Sequence, residues 1–270
     1  MPDGKYDKNF LLDNDNFFDA KKSVVYLYTE TVFENSISPG ADDIVKKNIG
    51  TGVVVNLPFG PVGRKYVLTA SHAVSVDKAV RRLRTPFGIM EIIFDKKKSQ
   101  SVYLMQGKEK IELKVLMREG EAALLELPFG VDIPALSYGF GKSGDLEIGD
   151  AIYVLGYPLG SAQVNVRKGF VTDVRALYFP DFMGGEYKQV KEEYPPEDFF
   201  MIKDGVVPGD SGGPILAIRD GKRELVGLTS AVALDFSGQL LNFCYVLHSD
   251  KILDKIKRFF ENDEFENDEL

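Results

Sequence analysis

The sequence predicts an all-β fold, a barrel or a sandwich, followed by one C-terminal helix. Three observations predict it. Short apolar runs rich in Val, Ile, Tyr and Phe recur along the chain, separated by Gly, Pro and polar turns. Only Ser249 to Phe260 carries a convincing long helical period. The chain has 270 residues, 44% hydrophobic and 27% charged, enough for one large domain or two small barrels sharing an interface.

In chain order, the first β-type runs are Ser23 to Thr29, Thr51 to Asn56 and Lys65 to Thr69. A short helical piece is expected at Ser75 to Val80. Ile111 to Met117 and Ala122 to Leu127 follow as strands. Pro128 to Gly144 has few strand signals and reads as the seam between two units. Beyond it come Ala151 to Gly156, Gly169 to Val174, Phe199 to Ile202, Pro214 to Ile218, Glu224 to Thr229 and Asn242 to Leu247. Tyr178 to Asp198 mixes aromatics, Gly, Pro and charge with no period. It reads as a long surface loop, a length uncommon unless functional or mobile. In the final helix Ile252, Leu253, Ile256 and Phe259 or Phe260 have helical spacing, with Ser249 or Asp250 as N-cap. The last ten residues, ENDEFENDEL, hold six acids and no base and read as a solvated end.

Several function classes are disfavoured. The net charge of −8 argues against nucleic acid as a partner. No stretch approaches the roughly 18 uninterrupted apolar residues of a membrane span. The start MPDGKYDKNF lacks a basic region followed by an apolar run, so no signal peptide is read. Cys244 is the only cysteine and sits in the apolar run NFCYVL. It reads as a buried, inert thiol, and an intrachain disulfide is excluded. A cytoplasmic protein is expected, with an exported mature form left open. No metal and no cofactor are expected.

The chemistry concentrates at Pro208-Gly209-Asp210-Ser211-Gly212-Gly213-Pro214. A serine between glycines fits a tight turn with close backbone approach. Acyl transfer needs that arrangement: an exposed hydroxyl at Ser211, and the amides of Gly209 and Ser211 aimed at the developing oxyanion. A base is required. His72 stands where the apolar strand Tyr66 to Thr69 runs out into small residues. His248 stands between a strand and the last helix and reads as structural. The base needs an acid to fix its tautomer. Glu121 opens the apolar strand EAALLEL and is the candidate; Asp77 and Asp95 are weaker ones. Read by itself, Glu121 is equally an exposed carboxylate at a strand end.

TASHAV, EAALLEL and GDSGGP, in the order base, acid, nucleophile, resemble the chymotrypsin-fold serine proteases, and the rest of the chain resembles the HtrA (Deg) proteases among them. The stretch Gly149 to Gly160, GDAIYVLGYPLG, is similar to that family's G-D-x-[apolar]-x-x-G-x-P-x-G pattern. The runs Gly169 to Val171, Phe200 to Asp204, Val226 to Ala231 and Tyr245 to Ser249 match its later strands. The resemblance covers roughly Ala20 to Phe260. It implies a chymotrypsin-like double six-stranded β-barrel with a C-terminal α-helix: an extension over 1–22, barrels over 23–135 and 136–248, the helix over 249–261 and a tail over 262–270. It implies catalytic His72, Glu121 and Ser211, an oxyanion hole at Gly209 and Ser211, and a serine endopeptidase acting on protein or peptide. Two departures stand out. The family's acid is aspartate, where this chain has Glu121. The family usually carries a C-terminal PDZ domain, where this sequence continues only into its acidic tail.

By the same resemblance the specificity pocket is walled by Gly205, Val206, Val207, Ser230, Ala231, Val232 and Phe243. These are small or apolar, and Gly205 stands where an acid would select Arg or Lys. A small aliphatic P1 residue is expected. Asp210 is expected to be buried and to need a cation, with Arg167 and Lys203 as the candidates. A homo-oligomer is compatible with the sequence. A second reading stays open: a pseudoprotease or peptide-binding scaffold whose triad Glu121 weakens. An esterase is a third, and lacks the G-x-S-x-G elbow.

Overall fold

The computed structural model of the chain describes residues 4–10, 17–35, 42–86, 88–175, 195–203, 205–234 and 240–267. Most of the loop expected at Tyr178 to Asp198, and Asp204, lie outside them. Two closed barrels account for twelve strands. The first joins β1 (Val24–Phe33), β2 (Ile44–Val55), β3 (Tyr66–Ala70), β6 (Lys97–Gln106), β7 (Glu109–Glu119) and β8 (Ala122–Glu126). Its strand order is β1-β2-β3-β8-β7-β6. The second joins β9 (Ala151–Gly156), β10 (Asn165–Asp173), β11 (Phe199–Lys203), β12 (Pro214–Arg219), β13 (Lys222–Leu234) and β14 (Leu240–His248). Its order is β10-β11-β14-β13-β12-β9. Closure leaves neither sheet with an unpaired edge.

Strands β3, β8 and β9 read as continuous apolar runs because they are buried along almost their whole length. Leu68 and Leu124 of the first barrel share one apolar cluster with Tyr153, Leu155, Leu216 and Leu247 of the second. Helix α1 (Phe18–Lys22) precedes β1, and helix α3 (Ser249–Asn267) drives Ile252 and Ile256, both fully buried, into that same cluster. Truncating one such leucine or isoleucine to alanine typically costs about 2–5 kcal/mol. The barrels are therefore held in one register by apolar contact, and the cleft between them is a fixed feature.

Three expectations need correction. The short helix is α2 (Ser71–Val74), one turn earlier than Ser75 to Val80. Ser75 is already extended, at φ −140° and ψ 138°, and the β-branched Val74 and Val76 do not favour a longer helix. The C-terminal helix runs to Asn267, into the acidic tail, because no Gly or Pro interrupts it. Ser249 and Asp250 lie inside that helix instead of capping it. Ser249 Oγ donates to the Gly141 carbonyl at 2.8 Å, and Asp250 Oδ2 accepts from the Gly144 N–H at 2.9 Å. Both tie the helix to the inter-barrel connection. A further element, the two-stranded sheet β4 (Ala79–Thr85) and β5 (Gly88–Phe94), stands outside both barrels. Its arginines hide the strand alternation in the sequence.

Candidate active site

Strand β3 delivers its last residue, Ala70, opposite Ala122 of β8, so α2 starts beside Glu121. The Ser71 N–H donates to the Glu121 carbonyl at 2.8 Å. Asn48 Nδ2 donates to the His72 carbonyl at 2.9 Å, and Thr29 Oγ1 to that of Ala73 at 2.9 Å. These bonds fix the single turn with Ser71, Ala73 and Val74 inward. The His72 side chain is left 44% exposed. Glu121 lies in the turn before β8 and is buried. Its Oε1 contacts His72 Nδ1 and also accepts from Ser230 Oγ at 3.1 Å. The carboxylate thus holds the imidazole from the first barrel and is itself held from the second. Burial pushes the His72 pKa down. The hydrogen bond and charge of Glu121 outweigh burial, and the ring titrates above its ordinary value.

Ser230 reaches Glu121 because of a bulge. Thr229 pairs with Val246 and Val232 with Cys244, so Ser230 and Ala231 together oppose the single residue Tyr245. The extra residue re-aims this stretch toward the cleft. The sequence marks Ser230 as a pocket wall; its bond to the acid depends on contact between the two barrels and has no local signal.

The turn at 209–213, which carries Ser211, is anchored by Thr51 of β2. Its N–H donates to the Ser211 carbonyl at 2.8 Å and its Oγ1 to the Gly209 carbonyl at 2.8 Å. The Leu159 N–H donates to the Pro208 carbonyl at 2.6 Å. In a trans peptide the neighbouring N–H points the opposite way, so the Gly209 amide is directed away from Leu159. Among the described residues no acceptor takes the Gly209 or the Ser211 N–H. Glycine is required at two positions. Gly209 has φ +99°, and a Cβ there would stand 2.5 Å from the Tyr157 carbonyl; Gly212 has φ +83°, and a Cβ would collide with Thr69 Oγ1. Thr51 and Leu159 escape a reading of the sequence, since one is a polar residue in an apolar strand and the other a loop leucine. Leu159 does carry a signature in the backbone, φ +52°, unusual for leucine.

His72 and Ser211 open on one cleft of about 500 Å³, whose walls include Ile49, Leu159, Val206, Val207, Ser230 and Ala231. Ser211 Oγ donates to the Ser230 carbonyl at 3.3 Å. Gly205 and Phe243 are not among the lining residues. The Val232 side chain lies outside the description. A hollow of similar size beside Arg64, Lys65 and Phe129 contains no residue of this cleft. His248 is buried against Phe200, ring centres 4.8 Å apart, and burial pushes its pKa down. It does not line the cleft. Asp77 and Asp95 are exposed, and neither contacts His72. Among the described residues no group of three His, Cys, Asp or Glu side chains could hold a metal.

Asp210 is fully buried. Arg167 of β10 brings Nη2 to 2.6 Å from its Oδ1, while Lys203 is exposed. The Arg167 N–H is not aimed at the oxygen, which makes this an ion pair rather than an aligned hydrogen bond. Oδ2 accepts from the Val207 N–H at 2.8 Å. Burial raises the Asp210 pKa, opposed by Arg167 and the Val207 amide. The carboxylate thereby ties the cleft wall at Val207 to the turn that carries Ser211.

The family profile described as the trypsin-like peptidase domain matches residues 50–228, from β2 into β13. The chain belongs to the trypsin-like peptidases. No curated protein sequence matches it. Among solved structures it is similar to the HtrA-type protease AlgW with tripeptide, at 17% identity and a TM-score of 0.58, covering 92% of this chain and 63% of that one. A serine-to-alanine AlgW with decapeptide gives 17% identity, a TM-score of 0.59 and coverage of 91% and 65%. The inactive form of Rv3671c from M. tuberculosis H37Rv, also a serine-to-alanine mutant, gives 20% identity and a TM-score of 0.55, covering 96% of this chain and 94% of that one. The superpositions show a shared fold. This trypsin-like peptidase spans under two thirds of the AlgW chains it matches.

Proposed function

We propose that the chain is a serine endopeptidase, with Ser211 as nucleophile, His72 as general base and Glu121 as orienting acid. One observation carries the reading. Glu121 holds Nδ1 of His72, while the rest of the ring and Ser211 open on one cleft beside two unclaimed amides. With its proton on Nδ1, the imidazole presents a free Nε2 lone pair. For attack the Ser211 hydroxyl leaves the Ser230 carbonyl, its partner in the structure, and turns to the imidazole. Oγ attacks the scissile carbonyl as its proton passes to Nε2, and Glu121 stabilises the imidazolium. The N–H groups of Gly209 and Ser211 receive the oxyanion. Nε2 then protonates the leaving amine, and water repeats the sequence on the acyl-enzyme.

The same reading sets the pH dependence. Only neutral His72 accepts the proton, so kcat/KM rises with pH through the His72 pKa. The Glu121 contact places this limb above the ordinary value of about 6.5. A pH–rate profile of the free enzyme reads the limb directly. A limb below that value, or one removed by His248→Ala, contradicts the assignment.

Val206, Val207 and Ala231 give the cleft an apolar wall, and none of its described lining residues is acidic. A small aliphatic P1 side chain gains by leaving water, while Arg or Lys finds no counter-charge. Digestion of a peptide library is expected to rank Val, Ala, Ile and Leu at P1. Basic residues at the top of that ranking would refute this pocket.

A further inference from the structure

The hairpin β4–β5 is the one sheet among the described residues that neither closes nor joins a barrel. Its root is packed: Ala79 and Phe94 are buried with Phe33. Ile92 packs partly against them, and the part of the hairpin beyond it is not packed. Cross-strand partners share a face. One face therefore carries Val80 with Ile93, Arg82 with Glu91, and Arg84 with Ile89. The other carries Arg81 with Ile92 and Leu83 with Met90. Ile89 is 67% exposed on the first face and Met90 49% exposed on the second. Large aliphatics are thus bare on both sides of a two-stranded sheet, an element of marginal stability by itself.

The charge is as unusual as the apolar exposure. Between Asp77 and Lys98 the chain has seven basic and three acidic residues, within a protein of net charge −8. Arg82 is paired with Glu91 at 2.7 Å. Arg81 and Arg84 are exposed and make no ion pair among the described residues.

We propose that this hairpin is a docking element for an anionic lipid surface, entering tip first. Two arguments select this occupant. A facing protein surface covers one side of a hairpin, whereas lipid surrounds an inserted tip and covers Ile89 and Met90 together. Unpaired arginines interleave with these aliphatics, the pairing that a surface of apolar chains and phosphates accepts. The dimensions agree. From the Arg84–Ile89 row to the Arg82–Glu91 row is about 7 Å, within the roughly 5–10 Å depth of the headgroup and acyl boundary. The acidic remainder of the protein does not oppose this contact, because charges beyond about 8 Å are screened at physiological salt.

The test is co-sedimentation of the full chain with vesicles of equal parts phosphatidylserine and phosphatidylcholine, against phosphatidylcholine alone. The expected result is binding to the mixed vesicles only, weakening as salt rises. Arg81→Gln with Arg84→Gln should lower the partition coefficient about 25-fold, at roughly fivefold per basic residue. Ile89→Ser with Met90→Ser should lower it at least about tenfold. Both double variants should keep the far-ultraviolet circular dichroism and the hydrolysis of a short soluble peptide unchanged. Equal sedimentation with both vesicle types overturns the proposal, and so does undiminished binding by either folded variant. A dimer that these same substitutions dissolve, with no lipid binding, overturns it too and assigns the hairpin to a second copy of the chain.

Discussion

Ser211→Ala is expected to lower kcat by about 10⁶-fold, the loss typical of a deleted serine nucleophile. The structure separates this effect from unfolding. Among the described residues the Ser211 hydroxyl makes one bond, to the Ser230 carbonyl at 3.3 Å, and the residue is partly exposed. The bonds that hold the loop use the backbone: the Ser211 carbonyl with the Thr51 N–H, and the Gly209 carbonyl with Thr51 Oγ1. Alanine leaves all of these in place. The variant should melt within a few degrees of wild type while its turnover vanishes. Steady-state kinetics beside a thermal melt checks both halves. Retention of more than a few per cent of wild-type turnover in the purified variant removes Ser211 from the mechanism.

Glu121→Gln is expected to cost about 10⁴-fold, the loss seen when a triad acid becomes its amide. Glu121 Oε1 meets two donors, His72 Nδ1 and Ser230 Oγ. A glutamine keeps the size but offers an N–H₂, which satisfies the imidazole only in the tautomer that cannot accept the serine proton. The pH profile supplies an independent readout. Without the Glu121 charge, burial alone acts on His72, and the rising limb moves to lower pH. Glu121→Asp tests the arm length. Both donors are already met by the longer side chain, so aspartate withdraws from them. A shift of about 1 Å can cost on the order of 100-fold, and aspartate should not restore full activity. If glutamine and alanine at 121 both leave kcat/KM within about twofold, under 0.5 kcal/mol, Glu121 is no triad acid.

The parts of this protein that were legible in the sequence are those set by local chemistry. Strands β3, β8, β9 and β12 are apolar along almost their whole length because they are buried on both sides, and their runs stand out. GDSGGP stands out because a nucleophile turn needs glycine at 209 and 212. The need of Asp210 for a cation was also legible, but the choice between Arg167 and Lys203 was not. The register of β10 on β9 brings Arg167 opposite Val154, while Lys203 on β11 faces solvent. Ser230 as the second donor to Glu121 required the bulge in β13 and the docking of two barrels, neither of which has a local pattern. Strands β4 to β6 were hidden for another reason. Arg81, Arg82, Arg84 and Lys96 to Lys98 occupy positions where a half-buried strand would alternate, and β4 and β5 are not half buried.

In the proposed mechanism Ser211 is an activated nucleophile, made so by His72 and Glu121. A fluorophosphonate probe tests it without knowledge of the substrate, because only an activated serine reacts with it. The full chain is incubated with the probe, digested, and the modified residue read by mass spectrometry. One label per chain is expected, on Ser211, lost in His72→Ala and strongly slowed in Glu121→Gln. An unlabelled wild-type chain that is folded by circular dichroism, or a label on any other residue, contradicts it.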